Sequence, residues 1–242
     1  MIIDNIKHIF NNDSVVNYYD NLTSKAGLLK SEGIIIKKYI KYQDKILDLG
    51  CGAGRTTIGL YHHGFKNIIG VDISEKMIER ARINTANLDL PIIFNVSDAL
   101  SLYFGDKYFK CVFFSFNGLM LIPFKKNRNK AVTEIYRILD NSGYFIFSTP
   151  YLDNKLTKPF WVQRSKELKI DNTNEKYGDI LIDDFGLDNI YIHIPMSYEV
   201  IEMLNANAFE VIEMVPRTNI CEEDEYIENE LDDNMYWVAR KK

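Results

Sequence analysis

Residues 46–57 read ILDLGCGAGRTT. A short, mostly apolar run ends in three glycines at alternate positions, Gly50, Gly52 and Gly54, two residues after Asp48. This stretch constrains the fold more tightly than any other. Without a Cβ, glycine takes φ > 0 and lets a ligand lie against the backbone. In an open α/β sheet, ligands bind at the carboxyl ends of the strands, where the next helix begins. The free N–H groups of that helix favour an anionic group. A dinucleotide fingerprint would need a third glycine at position 55, and Arg55 stands there. The Gly-Lys-Ser/Thr ending of a mononucleotide loop is absent. The pattern is GxGxG, and a bound dinucleotide is not what it describes.

Strand and helix patterns alternate after this turn. Strands are expected at 45–49, 67–72 (NIIGVD), 91–97, 109–116 (FKCVFFSF) and 144–149. Helices are expected at 56–63, at 74–86 with Ser74 as N-cap, and at 128–139, ended by Asp140, Ser142 and Gly143. The nearly continuous apolar run 109–116 suits a central strand covered on both faces. This rhythm predicts an α/β fold: a parallel sheet with right-handed crossovers and helices on both sides. Residues 1–43 read as a helical cap, and 44–150 as the ligand-binding core. After Pro150 the rhythm breaks, and 151–195 read as an insertion ending in two short strands within 178–194. Residues 196–242 hold a helix at 197–207, N-capped by Ser197, and two closing strands at 210–216 and 235–239. Between them, 222–233 carry eight carboxylates and no base, the composition of a solvated hairpin loop.

Composition narrows the function. The 242 residues carry a formal net charge of −5, so the basic face of a duplex binder is not expected. No apolar run approaches the roughly 18 residues needed to span a bilayer. The first residues lack the basic and apolar regions of a signal peptide. Three widely spaced cysteines, Cys51, Cys111 and Cys221, read as free thiols in a cytoplasmic protein, and no Cys/His spacing suggests a metal.

The segment DLGCGAG resembles motif I of the class I S-adenosylmethionine-dependent methyltransferases, and the motifs after it follow in that family's order. The resemblance covers about residues 45–150. It implies a doubly wound, Rossmann-like, seven-stranded, mostly parallel sheet with an antiparallel last strand, an N-terminal helical cap and an inserted lid. It implies S-adenosylmethionine as cofactor, held at Asp48, Gly50, Cys51, Gly52, Gly54 and Ile73. Asp72 in VDIS, 22 residues after Gly50, matches the acidic residue that holds both ribose hydroxyls. Met77 matches the apolar residue on the adenine. Asp98 in NVSDAL matches the reader of the adenine amino group, helped by the backbone near Ala99. Phe116 and Asn117 fall near the reactive methyl. Tyr18 and Tyr19 resemble tyrosines that close over the cofactor, with Tyr19 assigned to cofactor and Tyr18 to substrate. The turn usually written Leu-Lys-Pro-Gly-Gly is Leu139–Gly143 here, with Asp140, Asn141 and Ser142 inside it.

The physics of the cofactor agrees. Its carboxylate needs N–H donors, its ribose a bidentate acceptor, and its sulfonium carbonyls, carboxylates and aromatic faces. In the insertion, Phe160, Trp161 and Arg164 are candidate substrate contacts. On the strand NIYIHIP, Tyr191 and His193 share one face, opposite Ile190, Ile192 and Ile194. That face is either an exposed sheet surface or the home of a general base, with His193 first and Tyr191 second. The expected activity is methyl transfer to an oxygen or nitrogen of a small molecule, by a monomer or homodimer. The alternatives are a protein or RNA methyltransferase, a non-catalytic cofactor-binding protein and a nicotinamide oxidoreductase.

Overall fold

Four consecutive buried residues, Ile46–Leu49, form β1, an interior strand of a seven-stranded sheet. The computed structural model describes residues 2–151, 178–184, 187–231 and 233–242, with side chains left aside at 2–5, 181–189 and 230. The other strands of the sheet are β2 (Ile68–Asp72), β3 (Ile93–Val96), β4 (Phe109–Phe114), β5 (Leu139–Thr149), β8 (Phe209–Pro216) and β9 (Met235–Lys241). Their order is β3-β2-β1-β4-β5-β9-β8. The first five run parallel, and β9 runs antiparallel to both its neighbours.

Alternation along the strands feeds two cores. Leu47, Leu49, Val112 and Phe114 point to one face, covered by α6 (Lys125–Ile138) and α7 (Ser197–Ala206). Ile46, Cys111 and Phe113 point to the other, covered by α3 (Lys30–Tyr39) and α4 (Arg55–His62). The remaining helices are α1 (Ile2–Phe10), α2 (Asp13–Lys25), α5 (Glu75–Ala86), α8 (Arg217–Ile220) and α9 (Glu225–Glu230). A separate antiparallel pair, β6 (Asp179–Asp184) and β7 (Leu187–His193), lies against the N-terminal helices. There Ile190 packs with Ile9, Val15, Val16 and Met77. No helix among the described residues is long and apolar enough to cross a membrane.

Several boundaries differ from expectation. Strand β4 stops at Phe114 because Phe116 and Asn117 take φ of 51° and 62°, which no strand accommodates. Helix α6 starts at Lys125 and runs into β5 at Leu139. Leu139 already pairs with Phe109, and the polar 140–143 segment is carried within the strand with Ser142 at φ 54°. Met196, not Ser197, is the N-cap of α7; its N–H donates to the Glu199 carboxylate at 2.7 Å. Ser74 caps α5 as expected, accepting from Met77 N–H at 3.1 Å.

The acidic stretch is a correction of another kind. Part of it is helix α9, and Glu223 is buried, accepting from the Lys30 and Ser31 N–H groups at 2.9 Å each. A carboxylate there satisfies two orphan donors at the start of α3 and complements the helix dipole. Glu228 in turn holds the Glu223 N–H and the buried Arg217. The segment ties the C-terminal strands to the N-terminal cap.

Candidate active site

The carboxyl ends of β1, β2, β3 and β4 open into one cleft of about 1130 Å³, its solvent mouth included. The glycine turn forms its floor. Gly50 and Gly52 have φ of 69° and 54°, and Gly54 at 96° begins α4. A Cβ on Gly50 would stand 2.7 Å from the Phe114 ring, so that glycine serves the packing of the turn. A Cβ on Gly52 would meet nothing within 4 Å, so that glycine keeps space open on the wall.

Asp72 ends β2 and is buried. Its two oxygens accept from Gly52 N–H at 3.0 Å and Ser74 N–H at 2.8 Å. Burial raises its pKa above the ordinary carboxylate value, against the pull of those N–H donors. Asp98 lines the cleft from the end of β3, with one oxygen on Leu100 N–H at 2.8 Å. Beside it, Ser97 Oγ is buried on the same wall with no hydrogen-bond partner among the described residues. Met77, nearly fully buried, Ile73 and Ala99 line the same region.

Asp48 sits behind the turn and is absent from the described wall. Its Oδ2 accepts from the Thr56 and Thr57 hydroxyls at 2.5 Å, clamping the first turn of α4 to β1. Burial pushes its pKa up to about 6 against those two bonds. With the folded value above the unfolded one, its ionisation costs stability that is regained as pH falls below about 6.

Phe116, where the methyl is expected, shares the cleft lining with Phe114, Tyr19 and Phe10, and with Leu121 and Ile122 from the 3-10 turn Gly118–Leu121 and its exit. Tyr18 is 41% exposed and off the wall, its ring edge-on to Tyr19 at 5.3 Å. Asn117 and Gly54 are also off the described wall, though each adjoins it in sequence.

The sequence reading missed the cluster beneath. In the sequence Arg55 stands only where a dinucleotide fingerprint would have glycine. It is buried on the cleft wall, with both terminal nitrogens on the Glu32 carboxylate at 2.7 Å. It also donates to Gly27 O at 2.6 Å, and its guanidinium lies 4.1 Å from the Phe116 ring centroid. Glu32 is fully buried and further accepts from Leu29 N–H and the Ser115 hydroxyl. The N-terminal cap, the glycine turn and the end of β4 meet at this one ion pair. No motif marks Glu32, which looks like any helix carboxylate in the sequence.

Tyr191 and His193 form neither an exposed sheet face nor part of the described cleft wall. Both are buried, and both reach the Asp179 Oδ1 at 2.6 Å, the tyrosine as donor and the histidine through Nδ1. Arg128 of α6 donates to the Tyr191 oxygen at 2.8 Å. Burial works against the charge on Asp179, yet the bonds from His193 and Tyr191 leave its pKa lowered. The network fastens the β6–β7 hairpin to α6. Replacing Asp179 with Ala strands two buried donors and is expected to cost about 3 kcal/mol in urea unfolding. S-adenosylhomocysteine affinity should stay within about twofold, and a tenfold drop would place the network in the site. Phe160, Trp161 and Arg164 lie outside the described residues.

Comparison with known proteins follows this geometry. A family model described as a methyltransferase domain matches residues 46–143. Carboxy-S-adenosyl-L-methionine synthase of Nautilia profundicola is 28% identical over 86% of this chain and 89% of its own length. Demethylmenaquinone methyltransferase of Lactobacillus johnsonii is 31% identical over 61% of this chain; the match spans 62% of that protein. A crystal structure of an S-adenosylmethionine-dependent methyltransferase from Methanosarcina mazei superposes with a TM-score of 0.70. It covers 86% of this chain and 96% of that one at 24% identity, a likeness of fold. Residues 46–143 thus match a methyltransferase domain, and the chain shares the fold of S-adenosylmethionine-dependent methyltransferases. Its cofactor is S-adenosylmethionine.

The residues present suit that cofactor. Asp72 is a desolvated bidentate acceptor for a ribose diol. The orphan Ser97 hydroxyl offers one more hydrogen bond at the base of the cleft. The open cradle over Gly52 leaves room for a ligand against the backbone. Gly52→Ala tests this directly. The protein should lose only the strain of an alanine at φ > 0, about 1–2 kcal/mol. Cofactor affinity by calorimetry should fall at least tenfold, because the new methyl occupies ligand space. Unchanged affinity would mean the ligand lies elsewhere.

Proposed function

We propose that this protein transfers a methyl group from S-adenosylmethionine to an oxygen or nitrogen of a small molecule. The observation that carries this reading is the cleft lining. Phe116, Tyr19, Phe10, Leu121 and Ile122 all belong to it, and Arg55, the one cation on the described wall, is already neutralised by Glu32. Such a surface takes an apolar body and offers no free cation for a phosphate backbone. The overall charge of −5 points the same way. When bound, the cofactor supplies an electrophilic methyl carbon. The protein's part is alignment and exclusion of water. Asp72 and Ser97 fix the nucleoside, the glycine turn carries the amino-acid end, and Phe116, braced from below by Arg55, shapes the place where a nucleophile approaches. Tyr191 and His193, taken up by Asp179, serve as positioning residues for the hairpin; a base is needed only for a nucleophile that must lose its proton. The three cysteines are free, which suits a cytoplasmic setting.

The N. profundicola relative makes a carboxylated form of the cofactor. An added carboxylate beside the sulfonium would call for an unpaired cation, and Glu32 holds the one on the described wall. This favours methyl transfer over carboxylation here. The test is incubation of the protein with methyl-labelled S-adenosylmethionine and a fractionated cell extract. Label is expected in the low-molecular-weight fraction. Label confined to protein or RNA would contradict the reading, and a carboxylated cofactor in the mass spectrum would replace it.

A further inference from the structure

The geometry points to Asn127 as the residue that selects the substrate, by accepting a hydrogen bond from an O–H or N–H group of an uncharged, largely apolar molecule. The inference rests on the small-molecule reading above and adds what that molecule must carry. Asn127 lies in the first turn of α6 and lines the cleft, with 9% of its surface exposed. Its Nδ2 donates to the Pro123 carbonyl at 2.9 Å. A carbonyl only accepts, so this bond fixes which way round the amide sits. Oδ1 is then the atom left over, and no hydrogen bond to it occurs among the described residues.

The surroundings give that oxygen its meaning. Leu121, Ile122 and Pro123, four to six residues before Asn127, line the same cleft, as do Ile6 and Phe10 of α1. An acceptor on an apolar wall is costly unless something donates to it. Among the described residues none supplies the donor, so a ligand that brings one gains a bond, and a ligand that brings a bare methyl or halogen leaves the oxygen unpaired. A site of this kind discriminates far more sharply against a missing donor than against a changed apolar volume. An anionic group is disfavoured, because Oδ1 would face it as a second acceptor and Arg55 is held by Glu32. Asn127 is thus a specificity-determining residue; its link to the loop before α6 also holds Pro123 in place.

The test uses the full chain saturated with S-adenosylhomocysteine and two probes of matched shape, a naphthol and the corresponding fluoronaphthalene, titrated by ligand-observed NMR. The wild-type protein is expected to bind the naphthol at least tenfold more tightly. In Asn127→Leu the preference should fall to about twofold or less, while S-adenosylhomocysteine affinity stays within threefold of wild type. Equal binding of the two probes by the wild type would overturn the proposal alone, and that comparison needs no variant to fold. Retention of the preference in Asn127→Leu would overturn it as well. If the protein binds S-adenosylhomocysteine but neither probe, the small-molecule reading fails, and the proposal with it.

Discussion

Asp72→Ala is expected to weaken S-adenosylmethionine binding by about 100- to 1000-fold. On the proposed reading the carboxylate accepts from two ribose hydroxyls, and a hydrogen bond to a charged group is worth about 1.5–3 kcal/mol. Both of its oxygens already accept from N–H groups, Gly52 on one side and Ser74 on the other, so the carboxylate is aimed before any ligand arrives. That preorganisation is also why truncation acts on the turn. Calorimetry separates the two effects when it is paired with Asp72→Asn. The amide keeps one acceptor for Ser74 but turns a donor toward Gly52 N–H or the ribose, so it should recover only part of the loss. A variant of Asp72 that binds the cofactor as tightly as wild type would remove the end of β2 from the site.

The second large effect falls on stability. Glu32→Ala leaves the Arg55 guanidinium buried with no counter-charge, and breaking a buried pair from one side costs about 3–5 kcal/mol. For a chain of this size that is a fall in Tm on the order of 10 °C. Three further bonds, to Leu29, Ser115 and Gly27, are fastened to the same pair, so the damage should spread from the N-terminal cap to the end of β4. Replacing both partners together, Glu32→Leu with Arg55→Met, should cost much less than the sum of the single changes, since no charge is then stranded. Differential scanning calorimetry on the three variants gives the cycle. A loss below about 1 kcal/mol in Glu32→Ala would show that water reaches the pair, contrary to its burial.

The sheet and the residues gathered at the carboxyl ends of its strands are legible in the sequence because both depend on local signals. Strands appear as short apolar runs, the glycine turn follows β1 directly, and Asp72 and Asp98 stand at strand ends where periodicity alone puts them. The Glu32–Arg55 pair was not legible, because it joins residues from two elements whose contact only the tertiary packing decides. Arg55 directly follows the last glycine of the turn, and its charge carries no sign of where the partner lies. The acidic stretch failed for the opposite reason. Its composition is that of a solvated loop, yet Glu223 is drawn into the interior by the orphan N–H groups of α3. Tyr191 and His193 were correctly placed on one face of their strand, but the pattern could not show that Asp179 would be waiting across the hairpin. Asn127 carried no motif at all; only its bond to Pro123 reveals which of its atoms is free.

The central claim is that the glycine turn after β1 and the carboxylate ending β2 together grip the adenosyl group of the cofactor. A crystal structure of the full chain grown with saturating S-adenosylhomocysteine tests it most directly. The account predicts ligand density in this cleft with both ribose hydroxyls on Asp72, the adenine beside Met77 and Asp98, and the sulfur toward Phe116. Density for the ligand at any other place, or a cleft left empty at saturating ligand, would contradict it.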